Sequence, residues 1–237
     1  MNPSHVASQN PPSPSYEQGK AVMVPAEPLR RHLLKALRRS TLPVLFKAPI
    51  SRAVADPLFP LTYFIRNVMV LLRDKAWRRT HTSRGSRVRV LWLLKERCDF
   101  FLEVRMWREA VQGRESLRNL YGSANPALPS EGYCTHCGGC CELLSGFPDF
   151  PEESLIPERW KRIFGDGLGR GHRFCSFLWE VRGTARSLCA IHPWRSRPCR
   201  TFGDEECDFV LNDSDFLSLS KREPFMRAFR ALIRFVS

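Results

Sequence analysis

The sequence predicts a mainly α-helical protein, with a helical N-terminal segment followed by a small cysteine-rich metal-binding domain built on irregular loops. Three features of the 237 residues carry that expectation. Apolar residues recur at three- and four-residue intervals over much of the chain, and runs that alternate residue by residue are few. Eight of the nine cysteines lie between Cys134 and Cys207. The charge is also split unevenly: residues 1–133 carry 22 Lys/Arg against 10 Asp/Glu, whereas residues 134–237 carry 15 against 14. The composition, 43% hydrophobic and 26% charged, excludes a chain that is disordered or collagen-like throughout.

Residues 1–28 are rich in Pro, Ser, Asn and Gln and read as a disordered tail. They lack the apolar core of a secretory signal, so a cytoplasmic location is expected. The longest apolar stretch, Leu58 to Leu72, spans roughly 22 Å as a helix against about 30 Å of hydrocarbon, too little for a transmembrane span. A reducing compartment and an odd cysteine count both argue against a disulfide framework.

Residues 29–131 form the basic helical segment. Leu29, Leu33 and Leu37 repeat every four residues among Arg30, Arg31, Lys35, Arg38 and Arg39. A stripe of that kind packs on its own domain, and its basic face could meet nucleic acid, an anionic membrane or a protein partner. One helix is expected from Asp56 to Arg79, then a turn over residues 80–86. A long helix follows over residues 87–120, with Gly122 as its stop. Val90, Leu94, Cys98, Phe101, Leu102 and Arg105 share its apolar face, where Cys98 is a small buried hydrophobe. Lys95, Glu96, Arg97 and Asp99 fall elsewhere on it. Residues 122–132 read as a linker.

Residues 132–237 form the cysteine-rich domain. Pro157 and Gly165 bracket a short helix. Pro224 opens a C-terminal helix with Phe225, Met226, Phe229, Leu232 and Ile233 on one face and Arg227, Arg230 and Arg234 on the other. The chemistry lies in Cys134, Cys137, Cys140 and Cys141, then Cys175, Cys189, Cys199 and Cys207. Two thiolates two residues apart on a glycine-bearing turn can both reach one ion at about 2.3 Å. Gly138 and Gly139 allow that turn. Spacing leaves zinc and iron, including an iron–sulfur cluster, both open as cofactor. His136, His172 and His192 are subordinate ligand candidates. His192, Arg195 and Arg200 are candidates for the surrounding layer that orients the thiolates and offsets their charge. No catalytic residue is assigned.

These motifs carry a resemblance. Cys134-x2-Cys137-x2-Cys140-Cys141, Cys175-x-Phe177-Leu178, Cys189-x-Ile191 and Cys199-Arg200-x-Phe202 resemble the YkgJ family of CxxCxxCC proteins, over roughly residues 132–208. The resemblance implies a zinc- or iron-chelating domain that uses Cys134, Cys137, Cys140, Cys141, Cys175, Cys189 and Cys199, with Cys207 a looser match. The chain departs from the family pattern at His192 and Ser196, where Tyr and Pro are usual. The expected function is thus a metal-binding protein with a helper or redox role. The alternative is a zinc-stabilised interaction module that docks through its basic segment. A protein-modifying methyltransferase is a second alternative, because flagellin lysine N-methylases carry a similar cysteine domain.

Overall fold

The structure, a computed structural model, describes residues 26–75, 77, 83–113, 136, 138–143, 148–181, 186–212 and 221–237. The chain is mainly helical there. Helix α1 (Ala26–Arg39) begins three residues before the expected start of the helical segment. Its Leu29, Leu33 and Leu37 are buried, and Arg31, Lys35, Arg38 and Arg39 face solvent. Burying Leu33 and Leu37 completely contributes roughly 1.5–3 kcal/mol each.

Helix α2 (Val44–Ala55) has no counterpart in the sequence reading. Pro43 is its N-cap, and the Pro43 carbonyl accepts the N–H groups of Phe46 and Lys47. The Lys47 ammonium reaches back to the carbonyls of Arg38 and Ser40 at 3.1 and 3.2 Å, satisfying the open end of α1. The guanidinium of Arg30, only 3% exposed, donates to the carbonyls of Val54, Asp56 and Phe59 and fixes the turn after α2.

The single helix expected from Asp56 to Arg79 is shorter. Asp56 makes a turn by accepting the Leu58 N–H, and α3 runs only over Leu61–Arg73. Asp74 is extended, and its carboxylate accepts the Trp77 N–H, which ends α3. Helix α4 (Ser83–Gln112) starts earlier than expected and stops at Gly113, whose φ of 78° forms a left-handed cap. Gly113, rather than Gly122, terminates it. Residues 1–25, 80–82 and 114–120, the linker at 122–132 and the cysteines Cys134 and Cys137 lie outside the described residues.

Among the described residues the cysteine-rich part consists of short helices and two short strands joined by loops. Its elements are α5 (Gly139–Leu143), α6 (Glu158–Asp166), the strands β1 (Leu178–Glu180) and β2 (Ser187–Cys189), α7 (Arg197–Arg200) and α8 (Asp204–Asn212). Helix α6 passes through Gly165 and stops at Gly167, at φ 79°. The strands pair antiparallel with Trp179 opposite Leu188. Helix α9 (Arg222–Val236) buries Phe225, Phe229 and Leu232 against α1, α3 and α4.

One hydrophobic core runs through both parts of the chain. Trp160 of α6 sits among Phe100, Trp107 and Phe177 at ring separations of 5.7, 5.1 and 5.9 Å, and its indole N–H donates to Glu103. The face predicted for α4 is right for Val90, Leu94, Cys98 and Phe101, all buried. It is wrong for Arg97, which is 1% exposed and points inward.

Candidate metal centre

The thiols are positioned by side chains from α3 and α4. Gly138 opens the α5 turn at φ 77°, and a Cβ there would stand 2.7 Å from Cζ of Tyr63. Glycine is thus required both by the backbone conformation and by the close approach of α3. Glu142, one residue beyond Cys141, pairs with Arg66 of α3 at 2.9 Å with both side chains under 10% exposed. Burial pushes the Glu142 carboxyl up, and Arg66 opposes that shift. Asn67 donates to the Gly171 carbonyl and accepts the Arg173 N–H, which secures the loop leading to Cys175.

Cys175 joins the α5 turn directly, its N–H donating to the Cys141 carbonyl at 2.6 Å. The thiols of Cys140 and Cys175 both interact with the Cys141 thiol. The hydrogen bond from Cys141 brings Cys140 down to about 7, and it lowers Cys175 as well. Cys141 is correspondingly pushed up by those two bonds and by burial. Burial, then the proximity of Cys175 and Cys199, raises Cys189. Burial, then Cys175 and Cys140, pushes Cys199 up to about 12. Five sulfurs from α5, the loop before β1, β2 and α7 therefore share one electrostatic neighbourhood. Cys207 lies on α8, which packs on α5.

Three cations face this neighbourhood. Arg97 of α4 donates to the carbonyls of Phe174 and Cys175 at 3.1 Å each, lies 4.0 Å above the Phe174 ring, and lowers Cys175. Burial pushes Arg97 itself down to about 10, so it stays charged at neutral pH. Arg108 donates to the Ala190 carbonyl beside Cys189. Arg195 lowers Cys140, Cys189 and Cys199. Of the expected surrounding residues, Arg195 thus faces the thiols, His192 is half-buried in the turn after β2, and Arg200 is exposed. Arg66, Asn67, Arg97 and Arg108 were not anticipated. The signal for the first two is two polar residues interrupting the apolar run at 58–72.

His136 adopts φ 58° and is tied to β2, where Nδ1 meets the Ser187 carbonyl at 3.1 Å. His172, its side chain 1% exposed, donates Nε2–H to Glu96 at 3.1 Å, and its Nδ1 has no partner among the described residues. It lines a cavity of about 250 Å³ together with Cys141, Cys175 and Glu142.

All seven described cysteines are free thiols. Among the described residues no three His, Cys, Asp or Glu side chains converge on a common ligating centre. The donor chemistry nonetheless fits a soft-ligand metal, because buried, mutually repelling sulfurs are ionised together only beside a cation. No family model, curated protein or solved structure matches this chain.

Proposed function

We propose that this chain is a cytoplasmic metal-binding protein of the YkgJ type, holding zinc or iron on Cys134, Cys137, Cys140, Cys141, Cys175, Cys189, Cys199 and Cys207. What supports the reading is a set of free thiols in which Cys175 is joined to the turn of Cys140 and Cys141 by its N–H bond to the Cys141 carbonyl at 2.6 Å, with the Arg97 guanidinium on the Cys175 carbonyl at 3.1 Å and Cys189 and Cys199 close enough to perturb the same group. Hydrogen bonding to Cys140 and Cys175, then burial, raises Cys141, and burial followed by mutual repulsion raises Cys189 and Cys199. A bound divalent ion would displace their protons, and four thiolates on one such ion leave a charge of about −2, which the guanidiniums offset. When bound, zinc would supply a structural cross-link, and iron or an iron–sulfur cluster would supply one-electron redox chemistry.

The test is metal and acid-labile sulfide analysis, with an optical spectrum, on full-length protein purified without oxygen, beside its Cys140→Ser and Cys175→Ser variants. Stoichiometric zinc or iron that falls in both variants supports the reading. Metal-free protein, or variants that keep wild-type metal and melting, would overturn it. Colourless zinc protein selects a structural role, and coloured iron–sulfide protein selects a redox role.

A further inference from the structure

The solvent side of the α1–α2 elbow combines two features. The first is apolar exposure. Val44 and Leu45, just past the Pro43 cap, are 78% and 69% exposed, whereas α2 buries Ile50, Ala53 and Val54 on its other side. On α4, Val88 and Trp92, one turn apart, are 49% and 43% exposed. The two helices are joined on this surface, for Phe46 meets the Trp92 ring edge-on at 4.8 Å. The elbow is also held in place, because Lys47 ties the start of α2 to the end of α1.

The second feature is one-sided charge. Residues 28–55 and 83–95 contain no Asp or Glu. Arg31, Lys35, Arg38 and Arg39 line the exposed face of α1, Arg52 extends the exposed side of α2, and Arg84 stands one turn before Val88. We infer that this surface docks on an anionic lipid bilayer, with Val44, Leu45 and Trp92 entering the headgroup boundary inside a rim of arginines. Basic side chains supply attraction to anionic headgroups that salt screens. Aliphatic side chains gain by leaving water for the acyl boundary, and a Trp ring favours that interface. A nucleic-acid backbone would satisfy the arginines but would give Val44 and Leu45 nothing, which is why the bilayer is preferred. The inference is independent of the metal reading.

The test is flotation of the full-length protein with vesicles of phosphatidylcholine alone and vesicles of an equal mixture of phosphatidylcholine and phosphatidylserine. Partition onto the mixed vesicles should exceed that onto the neutral ones at least tenfold and should fall with salt. The neutral pair Val44→Ser/Leu45→Ser should weaken it about tenfold with melting unchanged, since both side chains are already in water. Arg38→Glu/Arg39→Glu should weaken it further, while the equally charged change Arg162→Glu/Arg170→Glu, at exposed positions elsewhere, should leave it intact. Equal affinity for both vesicles, or none, overturns the inference. So does mixed-vesicle binding that the serine pair leaves unchanged; if the same protein then binds duplex DNA in a salt-dependent way, the surface belongs to nucleic acid.

Discussion

Replacing Arg97 by Met tests whether α4 supports the thiol cluster. The guanidinium makes two hydrogen bonds of 3.1 Å to the Phe174 and Cys175 carbonyls; truncation removes both, and the Cys175 carbonyl keeps the Leu178 N–H as a donor. The stranded Phe174 carbonyl costs about 1–3 kcal/mol, the lost bond to the Cys175 carbonyl about 1, and the lost cation–π contact at 4.0 Å about 2. The gain on the other side is the relieved burial of the charge. That burial moves the group from 12.5 to about 10, equivalent to about 3 kcal/mol at roughly 1.4 per tenfold. The balance is a net loss of about 1–3 kcal/mol. Cys175 also loses a cation that lowers it, so its proton competes better with a metal and affinity at neutral pH falls. Arg97→Lys keeps the charge without the fork and should retain more metal than Arg97→Met. Urea unfolding and titration with a competing chelator read the two effects separately. If Arg97→Met keeps wild-type metal affinity, the guanidinium is a packing feature only and the electrostatic argument fails.

Gly138→Ala should cost about 2–5 kcal/mol, from the left-handed backbone at φ 77° and the 2.7 Å approach to Tyr63, and should release metal in parallel; a melting temperature equal to wild type would refute the close approach. Cys98→Ala, in the core at 0% exposure, should destabilise by about 1 kcal/mol and leave metal content unchanged. Metal loss there would mean that α4 contributes a ligand. His172 is held down to about 2 by burial and then by Arg97 and Arg89, so the native state binds fewer protons than the unfolded chain between there and about 6.5. Its stability is therefore complete above about 6.5 and declines as pH falls, by up to about 1.4 kcal/mol per unit. His172→Gln should remove that part of the slope, and identical urea midpoints for both proteins across pH 7 to 5 would contradict the assignment.

The parts legible in the sequence are those fixed by local periodicity. The Leu29–Leu33–Leu37 stripe, the apolar face of α9 and the burial of Cys98 each follow from a 3.6-residue repeat that the core then uses. Helix α2 escaped because its sequence hides its repeat: Val44 and Leu45 are apolar but exposed, and Pro49 stands inside it. The mainly helical class was legible, and the cysteine spacing marked the thiol-rich stretch. The cations around the thiols were not legible. Arg97 sits between Glu96 and Asp99 in a run that reads as a solvated face, and its carbonyl partners lie 77 and 78 residues away. Only tertiary structure can show that a charge at such a position has somewhere to go.

Several long-range polar contacts tie α3 and α4 to the cysteine-rich part. Glu180, 0% exposed, places Oε2 2.9 Å from the Thr62 N–H and so caps the first turn of α3 from β1. Arg66 holds Glu142, Asn67 holds the loop before Cys175, Arg97 holds the carbonyls at 174 and 175, and Arg108 holds Ala190. The loops between these short elements leave buried backbone groups without partners of their own, and unpaired buried groups are costly. In this fold α3 and α4 supply the missing donors and acceptors. A small zinc module works differently, since there the metal replaces the core and the apo chain is unfolded. Here the thiol loops rest on a frame that is already packed, and the same guanidiniums that complete the backbone bonding also face the sulfurs. One set of buried arginines thereby serves stability and site electrostatics together, which is why the cysteine-rich stretch is best tested as part of the whole chain.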